Sequence, residues 1–494
     1  MRPGLTRRRH SPVSSRPVVP HACALIRGAT AHSLKLWGGL AALVLSGCSW
    51  LHIPEAEPPA VPPRWQYAEA LEVASQGRTG FWQSLGDPQL PGILLLAMRD
   101  NDDIKLASLQ VKLARVQAAL VATNAWPGVS LGATAGQSRN LTAQGGYPPT
   151  TSSSAGLGLG VNYQADLWGN QAAQQEAADI NAQASEADWN AARITLQVSV
   201  AQLWWQLGFL NRVMSNALTD LNEARTTLKL ASVRYETGAT SRTDMVFAQQ
   251  ALVSQQVSVA QSRQTLIEAR SAFALIMGAT PEEAFPELED LLSTPLPVPQ
   301  AGIPAELLAR RPDVHAAELR VRSYLASVQA SKLSFYPTLA LTGSLGTSSP
   351  TLTQYLINPV AAVSAAVTLP FIQFNTFRLS VQSSRLAYDS AVISFKKTLY
   401  TALKNTEDAL SARQQLIIQE QYLRQYVVLS REAERLSQVR WQVGETDIQP
   451  WLDAQATRRQ AELSLLQNTL ARKQNAAQLY AALGGDYQVI TRTP

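Results

Sequence analysis

The side chains that could make or break bonds are few in this chain. Only His52 and His315 follow Cys48 among the histidines, too few and too far apart in sequence for a zinc or copper site. Five methionines in the whole chain argue against a soft-metal binder. No phosphate loop, nucleophile elbow or acid and base pair stands out, so no enzyme activity, cofactor or metal is expected. Of the two cysteines, Cys23 lies in a leader-like stretch, which leaves the Cys48 thiol as the one reactive group of a processed chain.

That thiol sits in an informative place. A basic region is followed by the apolar run Leu36 to Leu45 and then by Leu45-Ser46-Gly47-Cys48, the order of a secretory signal. Small residues just before a cysteine resemble the bacterial lipobox. The resemblance implies S-diacylglycerol on the Cys48 sulfur and N-palmitoyl on the new amino terminus, and Ser49 rather than Asp fits forwarding to the outer membrane. An ordinary signal peptide with a chance cysteine is the alternative. A lone lipidated cysteine removes disulfides, thiol catalysis and cysteine-based metal sites together. Arg2, Arg7, Arg8, Arg9, Arg16, Arg27 and Lys35 all precede Cys48, so the formal +5 of the full chain falls to about −2 after it. Nothing in that balance suggests a nucleic-acid partner.

The elements must therefore carry the function by geometry, and they occur twice. Arg234, Gly238, Thr240, Ala248, Gln249 and Gly278 recur as Arg440, Gly444, Thr446, Ala454, Gln455 and Gly484, offset by 206 residues. Ala107, Leu109, Val111, Pro127, Leu131 and Gly136 recur as Ala317, Leu319, Val321, Pro337, Leu341 and Gly346, offset by 210. The difference must fall between Gly136 and the helix near residue 170, which points to a surface loop there.

Residues 49 to 66, with five prolines, read as an extended tether without a core. A helix is expected from about Pro88 to Asn124, stopped by Trp126-Pro127. The period then changes to two: Val129, Leu131, Ala133 and Ala135 alternate with small polar residues. After a polar loop that includes Gly145, Pro148 and Ser152 to Ser154, Ala155, Leu157, Leu159, Val161 and Tyr163 do the same. The second half offers Leu339, Leu341, Gly343 and Leu345, then Ala361, Val363, Ala365, Val367 and Leu369. Each strand pair precedes a long, alanine-rich helical pattern, 170 to about 235 and about 377 to 440, the first spanning roughly 100 Å if continuous. The second shows coiled-coil spacing. Gly238 and Gly444 suit left-handed turns, and a returning helix follows each, capped by Thr240 or Ser241 and by Thr446 or Asp447, with Pro450 in the first turn. Residues 279 to 304 form a proline-rich connector. No apolar run after Cys48 reaches the ~18 to 20 residues of a membrane helix, so a membrane form is lipid-anchored or a β-barrel. Four strands cannot close a barrel that needs about 8 or more, so they must be shared between subunits.

These residues resemble one family, the TolC and NodT type of outer-membrane efflux lipoprotein, over about residues 48 to 487. The motifs are Leu307-Leu308-Ala309-Arg310-Arg311-Pro312-Asp313-Val314, Phe335-Tyr336-Pro337 through Gly346, Asp166-Leu167-Trp168-Gly169, Arg234-Tyr235-x-x-Gly238 and Leu479-Tyr480-x-x-Leu483-Gly484-Gly485. Members often carry a glycine pair where Phe374-Asn375-Thr376 stands, which puts the start of the second long helix in question. The resemblance implies a mixed α/β membrane protein: a homotrimer whose chains give four strands each to a shared 12-stranded transmembrane β-barrel, continued by a long periplasmic α-helical barrel. It divides the chain into a signal peptide (1–47), a lipidated tether and start of an equatorial region (48–87), a first repeat (88–278), the connector (279–304), a second repeat (305–485) and a short tail (486–494).

The implied function is a passive exit duct of a tripartite efflux pump in the Gram-negative outer membrane, exporting drugs or other small molecules. Its implied partners are a periplasmic adaptor and a resistance-nodulation-division pump, with an ATP-driven exporter next. Asp453 and Asp244 match acidic gate positions, and three copies of Asp453 would form a ring that retards anions. The plainer account is that both favour a helix N-terminus. The tips Arg234, Gly238, Thr240 and Arg440, Gly444, Thr446 are implied adaptor-docking points, against which stands a plain helical turn that needs its glycine. Trp204 and Trp205 read as packing residues, and Arg310 and Arg311 as caps or ion pairs. Two alternatives stay open: a structural periplasmic coiled-coil lipoprotein and a type I protein-secretion duct.

Overall fold

The computed structural model describes residues 59–67, 80–139, 141, 151–291, 296, 304, 310–349 and 359–486. Cys48, its leader, His52, much of the first polar loop and part of the connector lie outside them. Three helices open the described chain, α1 (Phe81–Ser84), α2 (Leu90–Asp100) and α3 (Asp102–Ala122), followed by strands β1 (Gly128–Arg139) and β2 (Thr151–Ala165). The hairpin of α4 (Asn170–Glu236) and α5 (Arg242–Ile276) completes the first half. The second half repeats the order with α6 (Pro312–Leu333), β3 (Thr338–Ser349), β4 (Pro359–Thr368), α7 (Phe374–Gln442) and α8 (Gln449–Ala482).

Several expectations need correction. The helix foreseen from Pro88 to Asn124 is two helices, because Asn101 adopts an extended ψ of 130° and caps the second by accepting from the Ile104 N–H at 3.0 Å. Residues Ser152 to Ser154 belong to β2, tied to β1 by a 2.7 Å bond between the Ser152 and Ser138 hydroxyls. Neither Thr446 nor Asp447 caps α8, which starts after Ile448 without a side-chain cap and with Pro450 in its first turn. The tether is not coreless: Trp65 is buried in a cluster with Val314, Leu399, Leu403, Leu410 and Leu479, and the Gln66 N–H donates to Glu407 Oε1 at 2.7 Å. A buried indole outweighs the cost of ordering so short a segment. The connector is likewise tied down, by Arg270 on Glu287 and by Leu288 packed against Gly208. The helix at Phe374-Asn375-Thr376 starts without a glycine pair, after a tight turn at Pro370–Ile372.

The sheet is antiparallel in the order β1-β2-β3-β4. The main core lies where α4 meets α2, α5 and α8. Trp204 and Trp205 are fully buried there, as packing residues, with Trp82, Phe273 and Tyr480 around them. Burying each indole contributes roughly 3 kcal/mol, and the Trp204 N–H is satisfied by Asp87 Oδ2 at 2.7 Å. Between α3 and α4 the contacts are small: Ala114 and Ala118 meet Ala182. Arg311 pairs with Asp313 at 2.7 Å, as its place in the motif suggests.

The two halves close on themselves in the same way. Asn101 Nδ2 donates to the Ile276 carbonyl at 2.9 Å, and Arg311 Nη1 donates to the Ala482 carbonyl at 3.3 Å. These donors fill the open carbonyls at the ends of α5 and α8. Beside them, a Cβ on Gly278 would stand 2.3 Å from the Asp100 carbonyl, and one on Gly484 would stand 2.0 Å from that of Arg310.

Candidate functional site

Both hairpin tips are built alike at the backbone. Gly238 has φ +69° and Gly444 φ +80°, and the next N–H returns to the helix in each: Ala239 to the Arg234 carbonyl at 2.7 Å, Glu445 to the Arg440 carbonyl at 2.9 Å. That is a helix end closed by a left-handed residue, which only glycine adopts without strain.

The side chains of the two tips differ. Arg234 reaches across to the second hairpin, donating to the Gln442 carbonyl at 2.8 Å with its guanidinium 4.9 Å from the Trp441 ring centre. Trp441 stacks on Trp451 at 4.9 Å, and both are buried with Ala231, Ala248 and Ile448. The two tips thus share one aromatic core. Arg440 stays local, on Glu445 at 2.8 Å. Thr240 donates to the Asp244 carboxylate, and Ser241 Oγ accepts from the Asp244 N–H at 3.2 Å. The Thr446 hydroxyl is buried with no hydrogen-bond partner among the described residues.

The two acidic candidates are placed differently. Asp244 is 6% exposed and engaged inside the first tip. Asp453 is exposed on the first turns of α8, its Oδ1 accepting from Gln449 Nε2 at 2.7 Å. Behind the tips lies a cluster that sequence reasoning missed. Arg458 of α8 meets Asp220 at 3.3 Å and Glu223 at 2.8 Å on α4, Glu434 at 2.5 Å on α7, and Glu462 at 2.9 Å on its own helix. Arg431 adds a second cation on Glu462 at 2.8 Å. Burial pushes the Asp220 and Glu223 carboxyls above the usual carboxylate range, and it lowers the neighbouring Arg459. The signal was present as carboxylates at i and i+3 on α4, but nothing in the sequence says that α8 crosses there.

At the far end of the long helices one face of the sheet is contiguous and apolar. Leu131, Leu159, Leu345 and Ala361 pair across the strands, as do Val129, Val161, Gly343 and Val363. Val363 is 91% exposed and Leu131 74%. The opposite face carries Ser130, Gly160, Ser344 and Ala362, with a 2.5 Å bond between the Thr342 and Ser364 hydroxyls. Trp126, Trp168, Tyr336 and Phe374 mark the strand-to-helix junctions, Trp168 donating to the Pro337 carbonyl at 2.8 Å. The sheet thus has one apolar face and one of small, mostly polar residues, with aromatic residues at its junction with the helices. No helix among the described residues is long and apolar enough to cross a membrane.

Comparison with known proteins agrees with this geometry. The chain is 28% identical over 457 residues to the pyoverdine export outer membrane protein OpmQ of Pseudomonas aeruginosa, covering 91% of this chain and 96% of that one. It is 27% identical over 469 residues to the toluene efflux pump outer membrane protein TtgC of Pseudomonas putida, covering 90% and 94%. The open state of the MtrE outer membrane channel of Neisseria gonorrhoeae superposes with a TM-score of 0.74 at 28% identity, over 90% of this chain and 100% of that one. The family described as "Outer membrane efflux protein" matches residues 94–279 and again 303–485. The chain therefore belongs to the outer membrane efflux protein family, whose members are passive channels rather than enzymes.

Proposed function

We propose that three copies of this chain close one 12-stranded barrel in the outer membrane, and that their helical hairpins continue it as a periplasmic tunnel. The observation that carries this reading is the four-stranded sheet with β1 and β4 as open edges and an exposed apolar face. An open edge and a bare apolar face are both costly, and a closed barrel in lipid removes both. Strands of 10 to 15 residues are long enough to cross the ~30 Å hydrocarbon core when tilted. Exposed apolar stripes support the same assembly: Leu106, Leu109, Leu113, Val116 and Leu120 on α3, and Leu379, Leu386, Ile393 and Tyr400 on α7, follow heptad spacing. A chain that only braced the envelope would not need this sheet.

In this reading the duct is passive, with energy supplied by an inner-membrane pump. Small molecules are the cargo, in keeping with relatives named for toluene efflux and pyoverdine export, and the partner is a resistance-nodulation-division pump. Cys48 holds the lipid anchor. The two tips receive a periplasmic adaptor, and the exposed Asp453 lines the entrance as an acidic ring, whereas Asp244 serves the first tip internally.

Two measurements on the purified full chain test this. Unboiled protein should run as a heat-sensitive trimer, and it should conduct in a planar bilayer. A monomer without conductance would end the duct reading. Adaptor capture is best read by photocrosslinking from a cysteine at Ala239 or Glu445, which are exposed, since Thr240 is bonded to Asp244 and Thr446 is half-buried.

A further inference from the structure

We propose that Arg413 and Arg472 hold a small oxyanion, a phosphate or carboxylate group, in the crevice between α7, α8 and the connector. The site is separate from the tips and from the sheet.

Arg413 is half-buried on α7 and has no hydrogen bond, ion pair or ring contact among the described residues. The charge that bears on it is a like one, Arg472 of α8, and burial together with that neighbour lowers the Arg413 affinity for its proton. Arg472 lies on Glu420, but the same carboxylate also receives Arg424, at 2.7 Å. Two of the three guanidiniums thus share a single carboxylate, and Arg413 is left without one. Elsewhere the chain provides for its enclosed cations: Arg458, on the same helix as Arg472, meets four carboxylates.

Both arginines line a cavity of about 30 Å³, whose other walls include Leu296 of the connector, Ile417, Ala476 and Leu479. That is room for about two water-sized groups, as the two oxygens along one edge of a carboxylate or phosphate are. Asn475, 4% exposed, fixes the spacing of α7 and α8 here, its Nδ2 donating to the Ala409 carbonyl at 3.0 Å. Apolar walls screen charge poorly, so the neighbouring cations repel and a guanidinium without a counter-ion is costly. An oxyanion between them removes both penalties, through charge-assisted bonds whose geometry suits the guanidinium fork. Arg413 lies about 60 Å along α7 from its start beside the sheet. A lipid headgroup at the sheet is out of reach, so the anion comes from water.

The test is equilibrium dialysis of the purified full chain, as wild type, R413Q and R413K, against radiolabelled inorganic phosphate and, separately, acetate, at constant ionic strength in chloride. Wild type is expected to retain about one anion per chain, saturably. R413Q should bind at least about tenfold more weakly, and R413K, which keeps the charge but not the fork, should fall between. Phosphate retained against excess acetate identifies a phosphate-type ligand, and displacement by equal acetate a carboxylate; both support the site. Retention by R413Q equal to wild type would mean binding elsewhere and overturn the proposal. So would a wild type that retains neither anion above chloride, as when a carboxylate of a neighbouring copy fills the crevice. That wild-type result decides the matter even where R413Q does not assemble.

Discussion

Arg234 and Arg440 occupy matched positions, yet Arg234 bridges to Gln442 and Trp441 whereas Arg440 turns to Glu445. The same divergence separates the acidic residues. Asp244 is buried under Thr240 and Ser241, so D244N should weaken the first tip by about 1 kcal/mol in chemical denaturation and leave ion selectivity unchanged. Asp453 faces solvent, so D453N should leave stability alone and, if the acidic ring proposed above lines the entrance, shift the reversal potential in asymmetric KCl toward zero. The Arg458 cluster gives a pH prediction. Asp220 and Glu223 bind protons more tightly folded than unfolded, so stability falls as pH rises from the ordinary carboxylate range through their raised values. The melting temperature should decline over that window, and D220N should flatten the decline. Glu434 and Glu462, with Arg431, Arg458 and Arg459, are the charged groups around these two carboxyls.

At the scale of elements, the strands and long helices were legible because their periods are unambiguous over many residues. The break at Asn101 was missed although Asn followed by Asp102 and Asp103 is a helix-start signal, because the surrounding apolar pattern runs on through it; the tie from its Nδ2 to the Ile276 carbonyl, 175 residues away, was not legible. Likewise Trp65 looked like part of a proline-rich tether, and its pocket is assembled from α6, α7 and α8. Of the candidate site, the glycines were readable from the repeat and the partners of Asp244 lie three and four residues before it, but the partners of Arg234 and most of those of Arg458 come from distant helices. The glycines also differ in what they protect. Gly238→Ala meets only the left-handed backbone penalty, about 1 kcal/mol. Gly484→Ala drives a methyl into the Arg310 carbonyl and should cost about 3 kcal/mol, read as a much larger fall in melting temperature.

For the whole molecule, the two sheet faces are predicted to respond in opposite ways. Val363→Lys places a charge on the apolar face and should destabilise the trimer by ~2–4 kcal/mol, seen as dissociation at lower temperature on gels. Thr342→Lys on the opposite face should keep the trimer and alter conductance. The closure of each half has a different consequence. Asn101 holds the Ile276 end and Arg311 holds the Ala482 end, so each half starts and finishes in one place. The covalent link between halves is then dispensable to the contacts within either. Cut between Asp290 and Arg310, the protein should be expressible as two polypeptides that find each other and rebuild the channel, a two-piece duct made from a one-piece gene.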